Sequence, residues 1–191
     1  MQSFTLQPFT SPKTPPVPQT LQLTGTIDRR ENFLTVHYRL QGLQNAQDLC
    51  DSLTIAPPAK IPERRDNLWE TTCFEFFLGL QNSPQYWEFN LSPAGHWNVY
   101  RFTDYRQGME PETQITSLPF QVNQQNHQLD LMIEFNLASI ISATQWLEVG
   151  ITTVVQDCAG TVTYWALTHP GDQADFHRRD SFIVPLESEH F

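Results

Sequence analysis

Two glutamates on neighbouring predicted strands are the residues of this sequence whose types and spacing could do chemistry. Glu75 lies between two phenylalanines in CFEFFLGL, and Glu88 lies between two aromatic residues in YWEFNL. A strand side chain points away from its two neighbours, so each carboxylate should project opposite to the rings beside it. If both reach one concave face with Asn90 and Arg101, they could bind hydroxyl groups or a cation, and Arg101 would keep the carboxylates ionised. The alternative is a structural ion pair or a solvent-facing pair.

Catalysis is a further alternative that this pair of carboxylates raises. Two carboxyl groups that flank a bond are the machinery of glycoside hydrolysis, in which their separation decides the mechanism. The sequence gives no separation for Glu75 and Glu88, and it contains no GxSxG, Walker A or GxGxxG pattern. We therefore predict a non-catalytic binding role and keep hydrolysis as an alternative.

Five tryptophans in 191 residues supply ring faces for a core, for a ligand, or for both. A sandwich needs bulky inward side chains, so most of these rings should pack inside it. Trp69 follows a proline-rich stretch and Trp97 follows PAGH, which favours exposure at these two positions. We predict Trp69 and Trp97 as stacking platforms for a flat, hydroxyl-rich ligand, with Tyr100 and Tyr105 behind them.

A second concentration of polar groups lies in THPGDQADFHRRDSF, residues 168–182. His169 and His177, with the aspartates of this segment, could hold a metal ion or support acid–base chemistry. We include Arg178 with these histidines among the candidate ligand-binding residues. The alternative is that the segment closes on itself through Asp–Arg pairs, and no HxH, HExxH or CxxC spacing typical of a zinc site is present.

The elements that must position these residues are β-strands. Leu68–Leu80, Tyr86–Ser92 and Trp97–Thr103 are rich in aromatic residues and are joined by QNSPQ and PAG, which predicts an antiparallel meander. Further strands are predicted at 21–28, 32–40, 53–55, 128–137, 146–156, 161–167 and 181–186, with weak strands within 104–126 and a helical turn at 138–142. Roughly nine to eleven strands with almost no helix predict an all-β fold, an antiparallel β-sandwich of immunoglobulin-like or jelly-roll-like type.

Length and charge limit the organisation and the partners. Residues 1–20 form a predicted proline-rich arm, and residues 21–191 form a predicted single domain. The net charge of −10 would repel a phosphate backbone and anionic lipid, so neither nucleic acid nor a membrane is a predicted partner. The first twenty residues lack a basic head followed by an apolar run, and the three cysteines form no CxxC pair, so we expect a cytoplasmic location.

Three blocks of the sequence resemble those of a known family. LWETTCFEFFLG, YWEFNLSPAGHWNVYRFTDYRQGM and HPGDQADFHRRDSF are similar to the signature blocks of bacterial DOMON-like domain proteins, which are themselves similar to family-nine carbohydrate-binding modules. The resemblance spans about Leu68 to Phe182 through these motifs. It implies an immunoglobulin-like β-sandwich with a ligand pocket on one sheet, used by relatives for sugars or for haem.

The resemblance also implies which residue types would form the pocket. In sugar-binding relatives, two stacked aromatic residues with flanking amides and carboxylates hold a terminal sugar, and this sequence has those types at Trp69, Trp97, Glu75, Asn90 and Arg101. In haem-binding relatives a methionine and a histidine are the axial ligands.

These observations together predict a binding domain for a carbohydrate or a related small polar metabolite. Two alternatives stay open: a haem-binding redox domain, and a protein-interaction module that uses the proline-rich arm and exposed sheet edges without a small ligand. No cofactor is predicted, with haem or a calcium ion as the alternatives.

Overall fold

Two antiparallel β-sheets form the structure, which is a computed structural model that describes residues 1–11, 21–42 and 52–187. The all-β sandwich predicted from the sequence is confirmed. The described residues contain thirteen strands: β1 Gln2–Thr5, β2 Gln7–Pro8, β3 Leu21–Arg30, β4 Phe33–Gly42, β5 Cys73–Leu80, β6 Tyr86–Leu91, β7 Trp97–Phe102, β8 Glu110–Pro111, β9 Phe120–Gln125, β10 Gln128–Asn136, β11 Leu147–Gln156, β12 Val162–Ala166 and β13 Val184–Leu186.

The strand order separates a smaller sheet from a larger one. The five-stranded sheet has the order β1-β3-β4-β10-β9, and the eight-stranded sheet has the order β2-β12-β11-β5-β6-β7-β8, with β13 also paired to β11. The predicted meander of three aromatic strands therefore forms the β5-β6-β7 part of the larger sheet. Strand β11 from the C-terminal half pairs with β5 on the other side.

Short elements account for most of the difference between the predicted and observed strands. The predicted strand at Leu68–Leu80 begins at Cys73, because Leu68–Glu70 forms a 3-10 turn after Asn67, whose φ is 60°. The predicted strand at 53–55 is reduced to a single bridge between Leu53 and Asp157. The last strand is shorter than the predicted 181–186, because Arg179–Ser181 forms a 3-10 turn before β13.

The first residues of the predicted proline-rich arm form edge strands of both sheets. Strand β1 pairs with β3 in the smaller sheet, and β2 pairs with β12 in the larger one. Proline at an edge position loses no ladder hydrogen bond, which suits Pro8 at the end of β2. The rest of the arm, 12–20, lies outside the described residues.

The main core lies between the two sheets and takes one face of each strand. On β5 the inward residues are Phe74, Phe76 and Leu78, and the ring of Phe76 stacks on Phe89 of β6 at 4.4 Å. Tyr38 of β4 crosses this layer, and its hydroxyl donates a 2.6 Å hydrogen bond to the backbone oxygen of Glu75. The inner face thus fixes β5 against the smaller sheet just behind a candidate site residue.

The outer face of the larger sheet is also buried, so β5, β6 and most of β7 are buried on both faces. Segment 168–182 covers this face. A methyl group at Gly79 would lie 1.6 Å from the Arg179 guanidinium, and one at Gly150 would lie 2.7 Å from the Phe182 ring. Glycine at these two positions therefore lets the segment lie directly on the strands.

We expect Tyr38→Phe to lower the free energy of unfolding by about 1 kcal/mol, because it removes one buried hydrogen bond while keeping the ring. Urea unfolding of the variant and the wild type measures this difference. The matched control is Tyr164→Phe, at a half-exposed tyrosine of the larger sheet. An equal loss in both variants, or none in Tyr38→Phe, would contradict the role assigned to the Tyr38 hydroxyl.

Candidate functional site

The register of the larger sheet places both candidate glutamates on its outer face. Glu75 lies between Thr152 of β11 and Asn90 of β6 in one cross-strand row. Glu88 lies between Phe77 of β5 and Tyr100 of β7 in the next row. Since side chains in adjacent rows of one face are diagonal neighbours, the two carboxyl groups lie side by side.

A cavity of about 400 Å³ opens over these carboxyl groups. Its floor contains Glu75, Glu88 and Phe77, and its walls come from neighbouring strands of the sheet and from loops that cross the outer face. Most wall residues are aromatic or apolar, so a ligand would meet ring faces around a polar floor. The lining residues are Trp69, Glu75, Phe77, Glu88, Phe102, Arg106, Met109, Val154, Tyr164, Ala174, Phe176 and His177.

Glu75 is the most deeply buried ionisable group of the floor, with 2% of its surface exposed. Its Oε2 atom accepts a long hydrogen bond of 3.3 Å from the Thr152 hydroxyl, and its Oε1 atom has no hydrogen-bond partner. Burial, followed by the nearby charge of Glu88, raises the pKa of Glu75 well above its usual range. The neutral form of Glu75 is therefore favoured.

Glu88 accepts a shorter hydrogen bond from a neighbouring side chain than Glu75 does, but it is also buried. Its Oε1 atom accepts a 2.9 Å hydrogen bond from the Asn90 amide, and Oε2 lies 3.9 Å from His177 Nε2. Burial raises the pKa of Glu88 to about 7, while the Asn90 hydrogen bond and the charge of Arg106 lower it in part. Glu88 therefore titrates close to neutral pH.

His177 stands at the side of this pair and is uncharged. Its Nδ1 atom lies 2.9 Å from the Tyr86 hydroxyl, which itself accepts a hydrogen bond from the backbone N–H of Arg106. With the Tyr86 hydroxyl as the donor to Nδ1, the imidazole proton lies on Nε2, facing Glu88. Burial lowers the pKa of His177 to about 4. Although the 3.9 Å distance would suit an ion pair, a neutral imidazole makes this contact a polar one.

Six of the ten predicted site residues lie in or directly behind the cavity. Trp69, Glu75, Glu88 and His177 line it. Asn90 lies behind it and supports Glu88 by the amide hydrogen bond.

Tyr100 supports the indole wall of the cavity. Its ring packs edge-on against Trp69 at 5.7 Å, and its hydroxyl donates to Asp66 at 2.6 Å. Burial, with the adjacent Asp66, raises the pKa of the Tyr100 hydroxyl, so it is a neutral donor.

Trp97 and Arg101 lie away from the cavity, which corrects the prediction for both. They point to the opposite face of β7 from Tyr100, as the two-residue period of a strand requires. Trp97 is buried in the inter-sheet core with Arg64 4.4 Å from its ring. Arg101 pairs at 2.9 Å with the exposed Glu110. Arg101, the basic residue of β7, therefore does not keep the glutamates ionised.

His169 and Arg178 also lie outside the cavity. The Nε2 atom of His169 lies 2.9 Å from the backbone oxygen of Gln7, and its ring packs on Phe9. Arg178 makes two hydrogen bonds to Asp180, at 3.0 and 2.6 Å, and lines a separate surface hollow. The segment thus closes partly on itself, as the alternative interpretation stated, and contributes His177 and Phe176 to the cavity.

Several lining residues were missed by the sequence interpretation. Phe77 follows Glu75 by two positions, so strand parity alone would have placed it on the same face. Phe102 follows Tyr100 in the same way. Arg106, Tyr164 and Phe176 come from elements that the sequence does not bring together. Arg106 carries a 2.8 Å ion pair with Asp175 at the side of the cavity.

Two further features bear on the alternatives raised from the sequence. Within residues 1–11, 21–42 and 52–187, no group of three or more His, Cys, Asp or Glu side chains is placed to hold a metal ion. Across the same ranges, no helix has the length and apolarity that crossing a membrane requires.

Comparison with known proteins supports the fold. A solved structure of a proposed carbohydrate-binding protein from Bacteroides uniformis ATCC 8492 superimposes with a TM-score of 0.70, over 95% of this chain and 84% of that chain, at 12% sequence identity. No protein-family model and no curated protein matches the chain. The likeness at this identity shows a shared β-sandwich architecture.

The raised pKa of Glu88 predicts a stability difference that depends on pH. Between the unperturbed pKa of 4.5 and about 7, the folded protein holds a proton that the unfolded chain releases, so the carboxyl group increasingly destabilises the fold as pH rises to 7. Glu88→Gln, which keeps the acceptor for Asn90, removes this titration. As the pH rises from about 5 to about 8, we expect the free energy of unfolding of the variant to increase relative to that of the wild type by on the order of 3 kcal/mol.

Urea unfolding at both pH values tests this expectation. Glu110→Gln, at an exposed glutamate, is the control and should show no such gain. A pH-independent difference between Glu88→Gln and the wild type would contradict the raised pKa.

Proposed function

We propose that this protein is a non-catalytic binding domain that holds a sugar-sized polar ligand in the cavity above Glu75 and Glu88. The observation that carries the proposal is the pair of buried carboxyl groups, Glu75 and Glu88, that lines a cavity with aromatic walls. The Oε1 atom of Glu75 has no hydrogen-bond partner. A buried polar atom left so costs on the order of 1–3 kcal/mol, and a ligand that draws this carboxyl group into a hydrogen bond would lower that cost.

The floor offers hydrogen bonds of both directions to a polyol. A protonated Glu75 donates and accepts, while Glu88 accepts in its ionised form. The uncharged His177 adds an Nε2–H donor beside them. Sugar hydroxyls are both donors and acceptors, so neighbouring hydroxyls of one ring match this mixed set.

The walls offer apolar surface to the C–H face of a sugar ring. Trp69 is half-buried, because Tyr100 fixes one edge of its ring and the cavity leaves part of it accessible. Tyr164 and Phe176 pack edge-on against each other at 5.9 Å on another side. The volume of about 400 Å³ lies in the range of small-ligand pockets.

The comparison with solved structures supports a carbohydrate as the ligand. The Bacteroides uniformis protein that shares the fold is itself a proposed carbohydrate-binding protein. The motif resemblance to DOMON-like domains and family-nine modules points to the same sheet, and we propose membership of that group on those motifs. A cytoplasmic location and the absence of nucleic-acid partners stay predictions from the sequence.

We expect isothermal titration against a panel of mono- and oligosaccharides to give a saturable signal with at least one sugar at millimolar concentration. Trp69→Ala should weaken that sugar about tenfold, since aromatic contacts contribute on the order of 1 kcal/mol. Trp146→Ala, at a half-buried tryptophan outside the cavity lining, should leave the affinity unchanged. Failure of every sugar to bind, or equal weakening by both variants, would refute the proposal.

Haem binding is the second candidate, because Met109 and His177 line the same cavity. A thioether and an imidazole are the donor types for low-spin haem iron. These two side chains suit haem iron, but the acidic floor does not, because the Nε2 atom of His177 faces Glu88.

The haem candidate predicts a Soret band on addition of hemin that is lost in His177→Ala and shifted in Met109→Leu. His169→Ala, at a histidine held by Gln7 outside the cavity, is the control and should keep the band. Absence of the band in the wild type removes this candidate.

A further inference from the structure

We propose that the ligand of this cavity carries an ammonium group, as an amino sugar does, and that this group pairs with Glu75 and Glu88. The inference rests on the proposed function and names the class of polar ligand. It starts from the acid pair, which occupies the floor of the cavity without a cation against it.

Most of the polar side chains on the strands packed around the acid pair are uncharged. Thr152 and Asn90 flank Glu75 in its own row and are uncharged. Burial, with the charge of Glu75, raises the pKa of the Cys73 thiol, and burial raises the pKa of Tyr86 to about 12, so both are neutral. Burial also raises the pKa of Tyr38, which lies behind β5, and of Tyr100, which lies beside Glu88 on β7, so both hydroxyls are neutral.

The basic groups beside the pair do not balance it either. His177 is neutral because burial lowers its pKa to about 4. Arg106 is charged, but its guanidinium makes a 2.8 Å ion pair with Asp175, and its Nη2 atom is the donor. The charge of Arg106 lowers the pKa of Glu88 only in part, and burial outweighs it, so the neutral forms of the acid pair are favoured.

An ammonium group fits this floor better than a hydroxyl does. It has three donors and a full positive charge, which match the carboxyl oxygens of Glu75 and Glu88 at the floor of the cavity. Opposite charges at hydrogen-bond distance in a buried site interact more strongly than neutral partners. The ring faces of Trp69, Tyr164 and Phe176 also favour a cation over a neutral group.

The same arrangement disfavours two other ligand classes. A phosphate or uronic acid group would bring a second negative charge against the carboxyl pair, and like charges in a buried site repel. A neutral sugar would leave the protons of the pair in place and gain only hydrogen bonds.

Binding of an ammonium ligand must release a proton when it displaces one from the pair. The ligand enters as R–NH3+, the acid pair gives up one H+ to solvent, and the complex holds one ammonium and one more carboxylate than before. No covalent bond changes. Below pH 7 the affinity should fall by about tenfold for each pH unit, because the ionised fraction of a group with pKa near 7 falls by that factor.

Matched sugar pairs test the inference: glucosamine against glucose, galactosamine against galactose, and mannosamine against mannose. Isothermal titration near neutral pH should show at least one amine that binds about tenfold or more tightly than its neutral partner. Titration of that amine in two buffers of different ionisation enthalpy should show proton release. The N-acetyl derivative, which has no charge, should behave like the neutral sugar.

Three variants make the result specific to the acid pair. Glu75→Gln and Glu88→Gln keep the shape of the floor and should abolish the preference for the amine and the proton release, while Glu110→Gln should keep both. Equal binding within each pair, or a preference that survives both floor variants, overturns the inference and leaves the proposed function standing. No binding by any amine or neutral sugar overturns both.

Discussion

The burial of two carboxyl groups on one sheet face is the constraint on which the rest of this site depends. The antiparallel register of β5 with β6 and β11 makes Glu75 and Glu88 diagonal neighbours, and segment 168–182 then removes both from water. Neither the strand register nor the covering segment alone creates the site. On an open sheet the same two glutamates would be solvated, ordinary surface carboxylates, whereas burial beneath the cover raises the pKa of both.

The cover is itself held by contacts that do not involve the cavity. Arg179 donates to the backbone oxygen of Leu80 and to Glu148, and Phe182 packs over Gly150 and against Tyr86. These contacts form a second, smaller apolar core on the outer face of the larger sheet. Because the cover is anchored at its C-terminal end, its other residues can present Phe176 and His177 to the cavity without supplying the main packing of the fold.

The fold could be predicted from the sequence more fully than the site. Period-two alternation and turn residues identify β4, β10 and the β5-β6-β7 meander, because each strand buries one whole face in the inter-sheet core. Glu75, Glu88 and Trp69 were found because carboxylates and an indole stand out among apolar neighbours. Arg101 and Trp97 were misplaced although parity excludes them: both differ by an odd number of positions from Tyr100, so the three could not share one face of β7.

What the sequence could not show was that the outer face is covered, since this depends on contacts between residues about a hundred positions apart. Gly79 and Gly150 are the residues of the strands that make room for the covering segment, but a glycine in a strand also indicates a bulge or a weak edge. The consequence for function is large. A hydrogen-bonding carboxylate in water discriminates poorly between a hydroxyl and an ammonium group, while a desolvated, unpartnered one discriminates strongly by charge. On the proposed function, the covering segment therefore determines the ligand class as much as the glutamates do.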